Sequence, residues 1–251
     1  MSKDNMAHYL GWETATSLLL SYESMALAHR STLRRASADG AEPHAYYSYM
    51  HAFGLLILNA SFVEGTVRTI LTEKVKAELD EAVERGKRAG RTEHDSPTRL
   101  LQKFLIELES SGGWDNLVKS AGVSYYGNAL DSDVDKDVKE GINVLFTLRN
   151  VLAHGTALIQ PTVKMTEDMK DIYPYSWQSK LHGVGMYLER HFKRGGMFEN
   201  LADPDLPEHF IDITKKYFEQ LTPKFTPLPE RAQKTIDMIR GYSFGFVNHT
   251  R

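Results

Sequence analysis

The sequence predicts a predominantly α-helical protein. Long stretches repeat their apolar residues at the three- and four-residue spacing of one helix face. Glycine, proline and aspartate cluster between these stretches, where they would end one helix and begin the next. The chain has 251 residues, and its 41% hydrophobic and 25% charged fractions are ordinary for a globular protein. This length suits one large domain or two small ones.

Two long helices are expected in the first third of the chain. The first covers Tyr9–Ala36 and ends before Asp39 and Gly40. The second covers about His44–Arg88. Its first half is apolar on most sides and should be buried, whereas the charged stretch Glu73–Arg91 should project into solvent.

Start and stop residues mark the helices in the middle of the chain. Ser96 and Pro97 suit an N-cap followed by proline at the first helical position, and that helix should stop before Gly112. A shorter helix is expected over Trp114–Ala121. The acidic residues from Asp131 to Asp133 suit the first turn of another helix, which should end at Gly155.

The remaining chain is expected to alternate between loops and helices. Residues 156–165 suit a short strand or an extended loop, and residues 165–176 suit a loop. Three helices should follow: Ser179–Phe192, Leu206–Leu221 and Glu230–Tyr242. We therefore expect a helical domain over residues 1–225 with an N-terminal helical extension. The C-terminal helix within residues 226–251 is either part of that domain or a separate arm.

Composition excludes several classes of function. Cysteine is absent, so disulfides, thiolate zinc sites and cysteine nucleophiles are excluded. The ten histidines show no metal-ligand spacing, and neither a metal nor a cofactor is expected. The first six residues are polar, and the longest apolar run, Ala52–Leu58, is far shorter than the roughly 20 residues of a membrane span. We expect a cytoplasmic protein without a membrane segment.

The charge balance argues against strong non-specific binding to nucleic acid. The formal net charge is −3, whereas dedicated nucleic-acid binders are usually basic. A small basic cleft stays compatible with this value, because local clusters decide phosphate contacts. Basic runs at residues 29–35, 85–91 and 191–194 either hold an RNA backbone or form solvated faces, and the second interpretation is favoured.

The best candidate site is the group Arg149, Asn150 and His154. Asn150 and His154 are four residues apart and share a helix face, and Arg149 flanks that face. Cleavage of RNA requires a proton to leave the ribose 2′-hydroxyl and another to reach the 5′-oxygen, and histidine can perform either transfer near neutral pH. Arginine can stabilise the phosphoryl oxygens, and asparagine can position the phosphate or the imidazole.

A structural role explains the same pattern. A partly charged imidazole is favourable at the C-terminus of a helix, so His154 could simply cap this one. Arginine and histidine also occur at this spacing by chance. Spacing alone therefore favours the structural interpretation.

The stretch Leu148–Gly155, with the sequence Leu-Arg-Asn-Val-Leu-Ala-His-Gly, resembles the motif of the HEPN superfamily. That motif is an arginine, usually followed by a polar residue, with a histidine four to six residues later near a helix end. A long helix carrying Ser61–Glu64 precedes the stretch and further helices follow it, as in that superfamily. The similarity covers about residues 45–220, but only the eight-residue stretch is specific.

The resemblance implies an antiparallel helical bundle that forms a homodimer. Each protomer would contribute Arg149, Asn150 and His154 to one cleft. Active members are similar in being metal-independent endoribonucleases, often toxins or antiviral abortive-infection effectors, so RNA is the expected substrate and an antitoxin or other partner protein is conceivable. Other members bind nucleotides or partners without catalysis. A non-catalytic dimer is therefore the alternative, and a helical protein with a coincidental motif is the third interpretation.

Glu64 is a further candidate, because it is the only charged residue between His51 and Arg68 in an otherwise apolar helix. A buried carboxylate needs a partner, and Arg149 is a natural one, which would make Glu64 the residue that orients Arg149. A salt bridge to Arg68 one turn away, or exposure at the helix surface, would explain Glu64 equally well.

Overall fold

Helices dominate the computed structural model, which describes residues 14–38, 45–110, 113–154, 166–169 and 175–247. Its α-helices are α1 Thr14–Ala38, α2 Ala45–Arg88, α3 Ser96–Ser110, α4 Gly122–Tyr126, α5 Lys136–Ala153, α6 Tyr175–Phe192, α7 Met197–Leu201, α8 Leu206–Leu221 and α9 Glu230–Arg240. A π-helical segment, Asn116–Ala121, precedes α4, and 3₁₀ turns cover Glu167–Met169 and Thr222–Phe225. Strands β1, Tyr242–Ser243, and β2, Phe246–Val247, pair antiparallel. The predicted all-α class is confirmed.

Helix α2 is the centre of the core. It packs against α1, α3, α5, α8 and α9. Most of its apolar residues from Ala52 to Val75 are fully buried, including Leu56, Phe62 and Ile70. Beyond Val75 most side chains are exposed, so the charged end projects into solvent as predicted. The change in composition along α2 therefore determines which part of it the other helices cover.

The apolar part of α2 is also long and apolar enough to cross a membrane by length and composition alone. Half of the apolar window is buried within the protein. The core helix of a soluble protein passes the same test, so the finding is only weak support for a membrane segment.

Several predicted helix ends are wrong. Asp95, not Ser96, caps α3, because its Oδ1 accepts hydrogen bonds from the backbone N–H of Thr98 at 3.0 Å and from the Thr98 hydroxyl at 2.6 Å. The acidic residues from Asp131 to Asp133 lie in a turn, and α5 begins only at Lys136. At its other end α5 stops at Ala153, with Gly155 and the predicted strand or loop at residues 156–165 outside the described residues.

The C-terminal residues pack in the same core as the preceding helices. Ile236 and Ile239 of α9 are fully buried, and α9 contacts α1, α2 and α8. The final helix ends at Arg240 rather than Tyr242, and the β1–β2 hairpin that follows was not predicted. Arg30 of α1 donates a hydrogen bond to the Phe244 carbonyl at 2.7 Å, which ties the hairpin to the bundle.

Helix α5 is held by α2, α6 and α8. Gly141 allows the closest part of this packing, because a Cβ there would lie 2.7 Å from the Tyr187 hydroxyl and 2.9 Å from Ile213 Cγ2. The inner face of α5 is apolar and buried, through Ile142, Leu145 and Leu148 among others. The opposite face of α5 is thereby fixed as a surface.

Candidate functional site

The surface of α5 carries one line of polar residues. Asn143, Thr147, Asn150 and His154 recur at intervals of four, three and four, which places them on one helix face. Asn143, Asn150 and His154 are exposed, and Thr147 is half-buried. The structure thus brings Asn150 and His154 to one open face, separated by a single helical turn, as expected from their spacing.

Arg149 is turned away from this line and towards α2. Its Nη2 donates a short hydrogen bond to Oε2 of Glu64, and the Arg149 side chain is 24% exposed. The other oxygen of Glu64 accepts a hydrogen bond from Arg68 Nη2 at 2.9 Å. Both partners proposed for Glu64 are therefore present, and the carboxylate, 18% exposed, lies between two guanidinium groups.

This arrangement leaves a net positive charge beside α5. Two arginines share one carboxylate, so the group of Glu64, Arg68 and Arg149 sums to +1. Its side chains are largely removed from solvent, where screening is weaker than at the surface. The three side chains thus form one charged group between α2 and α5.

Aromatic rings fix the other side of Arg149. The guanidinium carbon lies 5.4 Å from the centre of the Phe146 ring, within the range of a cation–π interaction. The Phe146 ring stacks on Trp114 with 4.0 Å between ring centres and 8° between planes. Within the described residues the buried Nε of Arg149 has no hydrogen-bond partner. The contacts with Phe146 and Glu64 therefore hold the guanidinium between α5 and α2.

A groove adjoins the polar line of α5. It has a volume of about 500 Å³. Trp114, Phe146, Asn116, Lys119, Asn143, Thr147 and Asn150 line it, together with Gly113 and Asp115. Sequence reasoning identified only Asn150 among these. The repeat of Asn143, Thr147 and Asn150 was readable as one polar face, but nothing in the sequence paired that face with residues 113–119.

His154 lies immediately after the last helical residue. It takes the C-cap position with helical backbone angles, φ −85° and ψ −5°, and its side chain is exposed. This position is compatible with the capping interpretation as well as with the catalytic one. The exposure nevertheless leaves the imidazole open to solvent and to a bound molecule.

The basic runs of the sequence are partly structural. His29 is buried, with a hydrogen bond of 3.0 Å between its Nε2 and the Pro204 carbonyl. Arg194 pairs with Asp203 at 2.7 Å. In the third run Lys87 pairs with Glu84 at 2.6 Å, so members of all three runs have partners within the protein. Most of residues 85–91 are exposed, as expected of a solvated face.

A second group of histidines lies between α6 and α8. His209 shares a hydrogen bond of 2.7 Å with the Tyr187 hydroxyl, and its ring lies 4.7 Å from that of His191. Burial, with a contribution from His191, lowers the pKa of His209 from 6.5 to about 4. His209 is therefore neutral near pH 7. Within the described ranges, no three side chains of histidine, aspartate or glutamate lie close enough to hold a metal ion.

Comparisons with protein-family models, with curated proteins and with solved structures find no match to this chain. The resemblance to the HEPN superfamily therefore rests on the stretch Leu148–Gly155 and its place at the end of a helix.

Proposed function

We propose that this chain is a metal-independent endoribonuclease of the HEPN type, acting as a homodimer in a toxin system or in antiviral, abortive-infection defence. The observation that carries the proposal is the end of α5. There Asn150 and His154 lie open on one face, and Arg149 is held next to them by Glu64 and the Phe146 ring. A group for proton transfer and a positioning amide thus share the open face, and a guanidinium directed towards α2 adjoins them within the last turn of α5.

The proposed reaction needs no group outside the chain and its substrate. The ribose 2′-oxygen attacks the adjacent phosphorus while the bond from phosphorus to the 5′-oxygen breaks, which gives a 2′,3′-cyclic phosphate and a free 5′-hydroxyl. His154 accepts the proton of the 2′-hydroxyl or donates one to the 5′-oxygen. Arg149 stabilises the charge that builds on the phosphoryl oxygens, and Asn150 positions the phosphate.

The dimer supplies what one chain lacks. A single His154 cannot both accept and donate a proton in the same step, whereas two protomers that meet at α5 would provide one imidazole for each transfer. We expect the purified protein to sediment as a dimer. Its cleavage rate per protomer should fall on dilution below the dimer dissociation constant, because one protomer holds only half of the site.

The test is cleavage of single-stranded RNA by the purified chain in the presence of EDTA. His154→Ala should lower the rate by about 10²–10⁴-fold and Arg149→Ala by about 10²–10³-fold. His182→Ala and Arg99→Ala serve as matched controls, because both side chains are exposed on other helices, and each should keep the wild-type rate.

Wild-type protein that leaves every RNA intact, or His154→Ala protein that cleaves as fast as wild type, would contradict the proposal. Protein that binds nucleotides or RNA without cleaving them would instead favour the non-catalytic dimer. The net charge of −3 favours this second function, because dedicated nucleic-acid binders are usually basic.

A further inference from the structure

We infer that the groove beside α5 binds one unpaired base of the RNA, next to the bond that is cut. This inference deepens the proposed ribonuclease function and rests on it for the identity of the bond. The lining of the groove combines polar and aromatic side chains. Asn116, Asn143 and Asn150 contribute three amides, and Trp114 and Phe146 contribute two rings that are only 6% and 3% exposed.

The chemistry of the walls suits a base better than a phosphate. An amide side chain carries two N–H donors and an oxygen acceptor, so it can pair with base edges that present both kinds of group. Among the described residues of the lining, the only charged groups are Asp115 and Lys119, which form an ion pair of 2.9 Å and cancel. This part of the groove therefore offers a phosphate no net attraction.

The geometry favours a single unpaired base. A groove of about 500 Å³ is in the size range of small-molecule sites and is too small for a duplex. The edges of a base are free for amide contacts only when the base is unpaired, which is the usual state in sequence-specific RNA recognition. Trp114 and Phe146 stack on each other, so a base cannot insert between the two rings.

The position of the groove links it to the cleavage site. Asn150 belongs to both, and His154 follows it by one helical turn, about 6 Å between side-chain bases. A base held against Asn150 therefore lies close enough for its own or the neighbouring phosphate to reach His154. In addition, Asn116 and Lys119 come from a π-helical segment, a rare conformation that often occurs at functional sites.

The experiment separates binding from cleavage. Full-length His154→Ala protein, which should not cut, is titrated against fluorescein-labelled 12-nucleotide single strands of uridine, adenosine or cytidine in EDTA, with anisotropy as the readout. Adding Asn116→Ala and Asn143→Ala together should weaken binding of the preferred strand about tenfold. Adding Gln102→Ala, an exposed amide on α3, should leave the dissociation constant unchanged.

The wild-type background gives the second readout. There Asn116→Ala with Asn143→Ala should reduce the ratio of cleavage rates between the preferred and the least preferred strand, whereas Gln102→Ala should not. A double-stranded competitor should bind at least ten times more weakly than the preferred single strand. Circular dichroism of each variant checks that the helices persist.

Failure of the groove and failure of the ribonuclease are distinguishable. If wild-type protein cuts RNA but the two asparagine substitutions change neither affinity nor base preference, the groove inference is overturned. The same holds if the chain binds no single strand at all. A different result is that the strands bind and the asparagine substitutions weaken that binding, while wild-type protein never cuts RNA. In that case the groove inference stands and the proposed reaction fails.

Discussion

Two histidines of this protein, His154 and His209, differ in their access to solvent. His154 lies exposed at the end of α5, whereas His209 lies between α6 and α8 with its Nε2 bonded to Tyr187. Burial lowers the pKa of His209 to about 4, so its imidazole is neutral near pH 7 and packs against neighbouring side chains. The comparison shows that the neighbours supplied by the fold decide whether a histidine packs against other side chains or stays open to solvent.

The largest expected effect tests the link between the core and the exposed site. Glu64→Ala removes the carboxylate that the half-buried Arg149 and Arg68 side chains share. We expect a loss of about 2 kcal/mol in the free energy of unfolding, because the group is partly exposed, and a fall of about tenfold in kcat. Urea unfolding and the RNA cleavage assay measure the two quantities.

Glu64→Gln and Glu81→Gln refine this prediction. Glu64→Gln keeps an acceptor for one arginine and should recover part of both losses. Glu81 lies on the same helix in an exposed pair with Arg85 of 3.9 Å, so Glu81→Gln should change the free energy of unfolding by less than about 0.5 kcal/mol. A Glu64→Ala variant with wild-type stability and kcat would show that Glu64 neither stabilises the fold nor orients Arg149.

The next substitution should destabilise the packing between α5, α6 and α8 and leave the exposed His154 unchanged. Gly141→Ala places a Cβ 2.7 Å from the Tyr187 hydroxyl and forces that side chain, and with it His209, to move. We expect a loss of about 1–3 kcal/mol in the free energy of unfolding. The pH dependence of RNA cleavage should keep its shape, because His154 is untouched.

Gly183→Ala is the control for Gly141→Ala. No atom lies within 4 Å of the Cβ that it would add to α6, so we expect no loss, and a gain of up to about 1 kcal/mol from helix propensity. Equal melting temperatures for the two alanine variants would contradict the close packing at Gly141.

The last effect concerns the stability of the protein in acid. The pKa of His209 is about 4 in the folded chain and near 6.5 when unfolded, so the unfolded state binds more protons between these values. Stability should therefore fall as pH drops from 6.5 towards 4. The contribution of His209 is about 2 kcal/mol after a discount for the exposed part of the ring.

His209→Phe isolates this contribution. The new ring keeps the aromatic contacts with Phe192 and Phe210 but cannot bind a proton. Urea midpoints measured at pH 7 and pH 4.5 should differ less in this variant than in wild type. An unchanged difference would show that other groups carry the acid sensitivity.

The sequence predicts the helices far better than it predicts the site. Helices α2 and α8 match their predicted limits to within a residue. Apolar periodicity defines α8, whereas a long apolar stretch after the helix-breaking residues Asp39 and Gly40 defines α2. The cap at Asp95 and the start of α5 were misplaced, since several neighbouring polar residues could serve in each role. The hairpin after Arg240 was missed because two-residue strands leave no recognisable period.

For the candidate site, spacing along one helix was readable, and contacts between helices were mostly not. The shared face of Asn150 and His154 follows from helical geometry. The contact of Glu64 with Arg149 was one of several options, and the structure shows it together with the contact to Arg68. The groove joins Asn116 to Asn143 across an intervening turn and α4, a juxtaposition that only the packed helices create. The catalytic roles of Arg149, Asn150 and His154 stay predictions.

The most direct test of the central claim uses a defined single-stranded RNA, incubated with wild-type protein in EDTA and analysed by mass spectrometry. We expect fragments that end in 2′,3′-cyclic phosphate and begin with a 5′-hydroxyl. One 2′-deoxy substitution at the cut position should abolish that cut, and His154→Ala protein should yield no fragments. The proposed reaction would be contradicted by fragments with 5′-phosphate ends or by cleavage that survives the 2′-deoxy substitution. It would also be contradicted if wild-type protein left the RNA intact, or if His154→Ala protein cut it as fast as wild type.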